Sequence, residues 1–241
     1  MLLPNRFVLG QAGRNNTRHG IWPIGRIFQG SFQWLIGSGE RMRELSISKR
    51  VDPAYVEAFR SLVKKLLTSA KATSKEPIKM YLAGGAAMHF YTGARMSDDV
   101  DAVFDRKLFL PSDSAVIYRD AKGTARSVYF DTNYNETYGL LHEDAHDNAM
   151  RLPLNKVGGV DVFVLQPIDL AVSKLARFSE IDREDIRQLA RDGLITASEL
   201  KQRAEEALHG YVGDPSPVRT SIKLACDDIK ALQRSDHTRN A

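Results

Sequence analysis

Cysteine is almost missing from this chain: Cys226 is the only one in 241 residues. No disulfide can close within it, and a lone thiol suits a reducing compartment, so the expected location is cytoplasmic. Long apolar runs are missing too. No segment approaches the ~20 residues that span a bilayer, and the amino terminus lacks the apolar centre of a signal peptide, so no membrane is expected as a partner. There is no internal repeat and no extended low-complexity stretch. Acidic residues are scarce in residues 1–41, where five arginines face Glu40 alone; that stretch carries the whole formal charge of +4, and residues 42–241 balance at zero. A case for nucleic-acid binding built on the pI would rest on that first stretch only.

What is present is enough for a full core. A chain of 241 residues that is 43% hydrophobic reads as one globular domain, with or without a helical extension. Residues 1–41 hold Trp22 and Trp34 and several glycines, with neither helical nor strand periodicity. Three readings fit this irregular basic segment: translated upstream sequence with Met42 as the biological start, an arginine-rich targeting peptide, or a flexible nucleic-acid arm.

From Asp52 the organisation is cleaner. Asp52 caps and Pro53 opens a helix whose Val56, Phe59, Leu62, Val63 and Leu66 form one apolar stripe, suited to covering a sheet. Ile78, Met80 and Leu82 alternate on a short strand that runs into Gly84-Gly85, and a helix over 86–91 ends at Gly93. The glycine pair thus lies at a strand-to-helix junction, where missing Cβ atoms and unpaired amides welcome an anion such as a phosphate.

The chain then returns as Arg95-Met96-Ser97-Asp98-Asp99-Val100-Asp101-Ala102-Val103-Phe104, with 99–104 predicted to be one buried strand. Asp99 and Asp101, two apart, share a face. Two carboxylates side by side call for a cation, and an oxygen-only pair suits magnesium, which takes carboxylates plus substrate phosphates. A loop-type calcium site would want further oxygens and a later Glu that this segment lacks. A third acid is expected nearby, and Asp161 is the only charged residue of the strand-like run 160–165.

Further along, residues 115–118 and 127–130 flank Asp120-Ala121-Lys122-Gly123 as a hairpin. Residues 133–142 read as a loop in which Tyr134, Asn135 and Tyr138 either pack or touch a base. Pro167 opens a helix carrying Lys174 and, three residues on along one face, Arg177; both either meet phosphate or form a solvated basic face. Asp182 and Asp185 open the next helix, where acids are commonly dipole partners. Thr196 and Glu199 make a capping box, and Asp214-Pro215-Ser216-Pro217 precedes a last helix with Val218, Ile222, Ala225 and Ile229 inward. The expected division is a core over 42–165, a helical region over 166–234 and a disordered tail over 235–241.

One competing motif stands apart. His142-Glu143-Asp144-Ala145-His146 matches H-E-x-x-H, which on a helix would hold zinc and a general base. A third ligand on a following helix is required, and the next patterned segment is the strand around Asp161.

The paired glycines, the helix, R-x-S-x-D-V-D and a later strand with one Asp together resemble the polymerase-beta-like nucleotidyltransferase superfamily. Within it the chain is most similar to a bacterial nucleotidyltransferase-like family related to AbiEii-type toxins, over about 50–210, including Gly139-Leu140-Leu141-His142-Glu143-Asp144, Ser173-Lys174-Leu175-Ala176-Arg177 and Asp182-Arg183-Glu184-Asp185. The resemblance implies an α/β (α+β) fold with a mixed sheet flanked by helices and a C-terminal helical part. It implies that Asp99, Asp101 and Asp161 bind divalent ions, Mg2+ or Mn2+, that Gly84 and Gly85 cradle the triphosphate, and that Ser97 lines the pocket. Asp185 would orient a substrate hydroxyl or hold Lys174, and His142 would lie near the pocket or cap a helix. Ile181 stands where the family has a basic residue. The implied activity is transfer of NMP from an NTP, such as ATP, to an acceptor hydroxyl on tRNA or other RNA, a protein or a small molecule, in a toxin-antitoxin pair with an antitoxin as partner. The alternatives are a nucleotide-binding or regulatory protein without turnover, and the zinc hydrolase.

Overall fold

The computed structural model describes residues 43–239 except 70–75, 109, 112, 113, 138, 155, 156 and 158. The readings placed on residues 1–41, on a start at Met42 and on Tyr138 lie outside the described residues.

Helix α1 (Pro53–Ser69) starts as its sequence predicts: the Asp52 carboxylate accepts the Ala54 amide at 2.8 Å, and Phe59, Leu62, Val63 and Leu66 are buried. Strand β1 (Ile78–Leu82) leads into α2 (Gly84–Thr92), which ends on Gly93 in the left-handed conformation at φ 61°. The chain continues through β2 (Asp99–Val100), β3 (Ala102–Phe104), the hairpin β4 (Ala115–Arg119) and β5 (Ala125–Phe130), then β6 (Met150–Arg151) and β7 (Val160–Val164).

Two mixed sheets result. One has the order β3-β1-β7-β6, with β1 and β7 parallel and the other pairs antiparallel; the second has the order β2-β5-β4, with β2 parallel to β5 and β4 antiparallel to it. Helix α1 packs on β4 and β5, so its stripe covers the hairpin sheet.

The expected single strand over 99–104 is divided. Val100 pairs with Phe130 in the second sheet and Ala102 with Leu82 in the first, so the backbone changes sheets at Asp101. The Ala83 amide donates to the Asp101 carbonyl at 2.8 Å, and the Asp131 amide to the Val100 carbonyl at 3.1 Å, fixing the crossing from both sides. The sequence hides this break because both halves carry β-forming residues.

The C-terminal part is helical: α3 (Pro167–Ser173), α4 (Glu180–Arg191), α5 (Ala197–Ala207) and α6 (Pro215–Arg239). The capping box of Thr196 and Glu199 forms. Asp214 accepts the Ser216 amide at 2.9 Å at the head of α6, which buries Val218, Ile222, Ala225, Cys226 and Ile229. Arg183 and Arg187 of α4 both grip Asp228 of α6, at 2.6–3.0 Å. Helix α6 runs to Arg239, through most of the stretch expected to be disordered, because this helical repeat of buried side chains docks its first half firmly. The fold is α+β, with mixed sheets flanked by helices and a helical C-terminal part. Among the described residues, no helix is long and apolar enough to cross a membrane.

Candidate functional site

A cavity of about 650 Å³ opens where the two sheets and the helical part meet. Its first wall is the head of α2 with Arg95, Ser97, Asp99 and Asp101; its second is the loop from Asp131 to Leu141; its third runs from Ser173 to Asp182. Helix α2 is held rigidly behind the first wall. Nearly all of it is buried, the Tyr91 hydroxyl donates to the Leu165 carbonyl at 2.9 Å, and the His89 ring nitrogen lies 2.7 Å from the Arg95 carbonyl oxygen.

The glycine pair serves its own chain as well as any ligand. Gly84 has φ 56°, and a Cβ there would lie 2.6 Å from the Asp101 Cγ. At Gly85 a Cβ would lie 2.7 Å from the Ser97 Cβ. The two glycines therefore let the R-x-S-x-D-V-D segment close onto the start of α2, bringing carboxylates to a helix terminus that Ala83 offers no side chain to cap. Gly84, Gly85, Ser97, Asp99 and Asp101 share the cavity, as the sequence predicts.

Ser97 is buried and its hydroxyl donates to Asp99 Oδ1. Burial raises Asp101 to about 6, with Asp99 and Asp131 pushing the same way against Lys174 and Arg177. A carboxylate so strained for charge is a natural partner for a cation.

Asp161 does not join them. It lies on β7 in the same sheet as β1, but in register with Lys79, whereas Asp101 meets the chain at Ala83. Four residues of strand separate the two levels, roughly 13 Å. The Asp161 carboxylate instead accepts from Arg151 at 2.7 Å and lines a separate hollow with Glu44, Arg151 and Leu152. Apolar flanks predicted a sheet shared with the acid pair, and β7 does share one with β3 but not with β2, which carries Asp99; register then decides the level, and sequence does not state register.

Beside Asp99 and Asp101 the cavity holds Asp131, at the end of β5, a residue the sequence reading does not assign; Glu136 and Asp182 line it further along. Pairing of β5 with β2 carries it to the Asp99–Asp101 end, and its Oδ1 accepts the Asn133 amide at 2.8 Å. The signal was present: the predicted hairpin ends on Phe130, and an acid follows directly. Among the described residues, no three His, Cys, Asp or Glu side chains already stand as a metal cage. The oxygen-only set of Asp99, Asp101 and Asp131 fits a hard cation such as Mg2+, which keeps several waters and shares its shell with substrate phosphates.

The third wall is cationic but internally paired. Lys174, 5% exposed, places Nζ 2.8 Å from Asp185 and 3.6 Å from Asp182. Arg95 makes a two-pronged pair with Asp185 at 2.9 and 2.8 Å, and Arg177 another with Asp182 at 2.7 Å for both prongs. Asp185 thus holds Lys174, one of the roles open to it, and Arg95, which the sequence reading left without a role. Burial pushes both acids upward, but these cations, with Ser179 for Asp182, outweigh it: Asp185 sits below the usual range and Asp182 at about 2. Asp182 also closes a capping box with Ser179, a pattern the sequence reading passed over. Helix α3 ends at Ser173, with Lys174 as its cap, and Phe178 at φ 46° turns the chain into α4. Arg177 therefore sits in that turn and not on one helix face with Lys174.

The H-E-x-x-H segment is a run of turns, not a helix, because its polar residues give no apolar stripe to dock. His142 lies 3.8 Å from both Asp144 and Glu206, while His146 stacks on Tyr81 with centroids 4.3 Å apart and lies 3.0 Å from Glu136. The two imidazoles serve different neighbours. Tyr134 and Asn135 line the cavity; His142 does not.

The α+β fold and a cavity of glycines, carboxylates and basic side chains define the class, a protein of the nucleotidyltransferase type. A family model described as "Nucleotidyltransferase of unknown function (DUF6036)" matches residues 61–214, more than half of the chain, and the chain belongs to that family. No curated protein and no solved structure matches it.

Proposed function

We propose that the protein is a metal-dependent nucleotidyltransferase that moves a nucleoside monophosphate from an NTP to an acceptor hydroxyl. The observation that carries this reading is the convergence of Asp99, Asp101 and Asp131 on one cavity with the uncapped head of α2. Asp99, Asp101 and Asp131 would hold Mg2+ or Mn2+, which supplies charge neutralisation on the phosphates and activation of the attacking oxygen. The amides at Gly84 and Gly85 would receive phosphate oxygens, with Arg95 lending positive charge from the same wall and Lys174 and Arg177 from the facing one. The acceptor oxygen forms a bond to the α-phosphorus, its proton passes to a carboxylate or water, and the bond from the α-phosphorus to the bridging oxygen breaks, releasing pyrophosphate. Asp182 and Asp185 act as positioning residues that set the cations in place.

The acceptor belongs to RNA such as tRNA, to a protein or to a small molecule, and the likeness to AbiEii-type toxins supports a cytoplasmic toxin paired with an antitoxin. The test is incubation with each α-labelled NTP, magnesium and cell extract. Label on an acceptor, lost in Asp99→Asn with Asp101→Asn, supports the reading; label that survives the double substitution ends it. A second reading, nucleotide binding without turnover, draws on the pairing of Lys174, Arg95 and Arg177 to Asp182 and Asp185. NTP binding without pyrophosphate release would select it.

A further inference from the structure

Helix α4 buries Ile186 and Leu189 and turns Glu180, Glu184 and Arg191 outward. Ile181 breaks that pattern: it is 61% exposed, lies outside the buried stripe, and stands beside Arg177 and Asp182 on the third wall of the cavity. A single exposed isoleucine is ordinary. Its neighbours in the cavity are what give it meaning. The second wall contributes Tyr134, Leu140 and Leu141, whereas the wall of Gly84, Ser97, Asp99 and Asp101 contributes no large apolar side chain. The large apolar side chains of the cavity all lie away from the head of α2, on the other two walls, where they alternate with charged Asp131, Glu136, Lys174, Arg177 and Asp182 and with the amides of Asn133 and Asn135. The matching ligand is polyanionic at one end and flat and weakly polar at the other. Faces of a nucleobase gain from apolar contact while its edges need donors and acceptors.

We propose that Ile181 is a base-contact residue, and that the nucleobase of the NTP lies between it and the Tyr134–Leu141 wall. This rests on the nucleotide reading of the cavity. Arg177 engages both oxygens of Asp182, so Ile181 has no part in the ion pairs of this wall.

Titration calorimetry on the full chain with magnesium, using each NTP and inorganic tripolyphosphate, separates the two ideas. Ile181→Ala should weaken NTP binding about tenfold, and leave tripolyphosphate affinity unchanged. Ile181→Phe should restore NTP affinity, and circular dichroism should show the same helix content in both variants. Unchanged NTP affinity in Ile181→Ala, or equal losses for NTP and tripolyphosphate, overturns the base contact while the nucleotide reading stands. Wild-type protein that binds neither ligand removes the nucleotide reading, and the base contact with it.

Discussion

Gly84 shows how much one missing Cβ decides. Its φ of 56° and the nearness of Asp101 Cγ leave an alanine both strained and overlapping. Gly84→Ala should lower unfolding free energy by roughly 1–3 kcal/mol, and displace Asp101; urea titration and magnesium-dependent NTP binding would register the two effects separately. The carboxylates offer a sharper comparison. Asp131→Asn should abolish labelled transfer, while Asp161→Asn, which loses a bond to Arg151 beyond the cavity, should leave transfer within about twofold of wild type if cavity membership is what counts. Glycines, the acid pair and Ser97 were legible in the sequence because their spacing is local. Asp131 was not, since its place depends on which strand β5 adopts as a neighbour.

The turn from α3 to α4 is the element on which the cations depend. Asp185 bridges buried Lys174 and Arg95, so Asp185→Ala leaves the ammonium only its longer contact to Asp182 and should cost about 1–3 kcal/mol, measured as a shift in denaturation midpoint. Asp182 gives a pH signature. Its folded value near 2 lies below the ~3.9 of an unfolded Asp, so the unfolded chain binds the extra proton between them. The stability it contributes is complete above about pH 4 and disappears as pH falls towards 2. Thermal melts of Asp182→Asn should therefore show a shallower decline over that window than wild type. Helix starts at Asp52 and Thr196 and the stop at Gly93 were readable from caps, but the end of α3 was not, because Lys174 and Arg177 carry no helix-breaking signal and the turn is set by their ion pairs.

At the scale of the whole molecule, the helical part forms one wall of the cavity, so it cannot be a detachable appendage. Removing 215–241 uncovers the partners of Val218, Ile222, Ala225, Cys226 and Ile229, and two of those side chains alone are worth about 3–6 kcal/mol of burial, comparable with a marginal domain stability. The truncated chain should show loss of cooperative melting by circular dichroism and rapid proteolysis. Asp228→Ala, which only unties α4 from α6, should keep the fold and lower the melting temperature by a few degrees.

Local chemistry is what the sequence determined by itself: the strand into Gly84-Gly85, the carboxylate pair two residues apart, the hairpin, the helix caps and the absence of any disulfide, all of which act over a few residues of backbone. Tertiary structure alone decided that the strand breaks at Asp101 to join two sheets, that Asp131 enters the cavity while Asp161 is left four registers away, and that the basic side chains come already paired. These follow from strand register and ion pairing between distant segments, and residue spacing along the chain encodes neither.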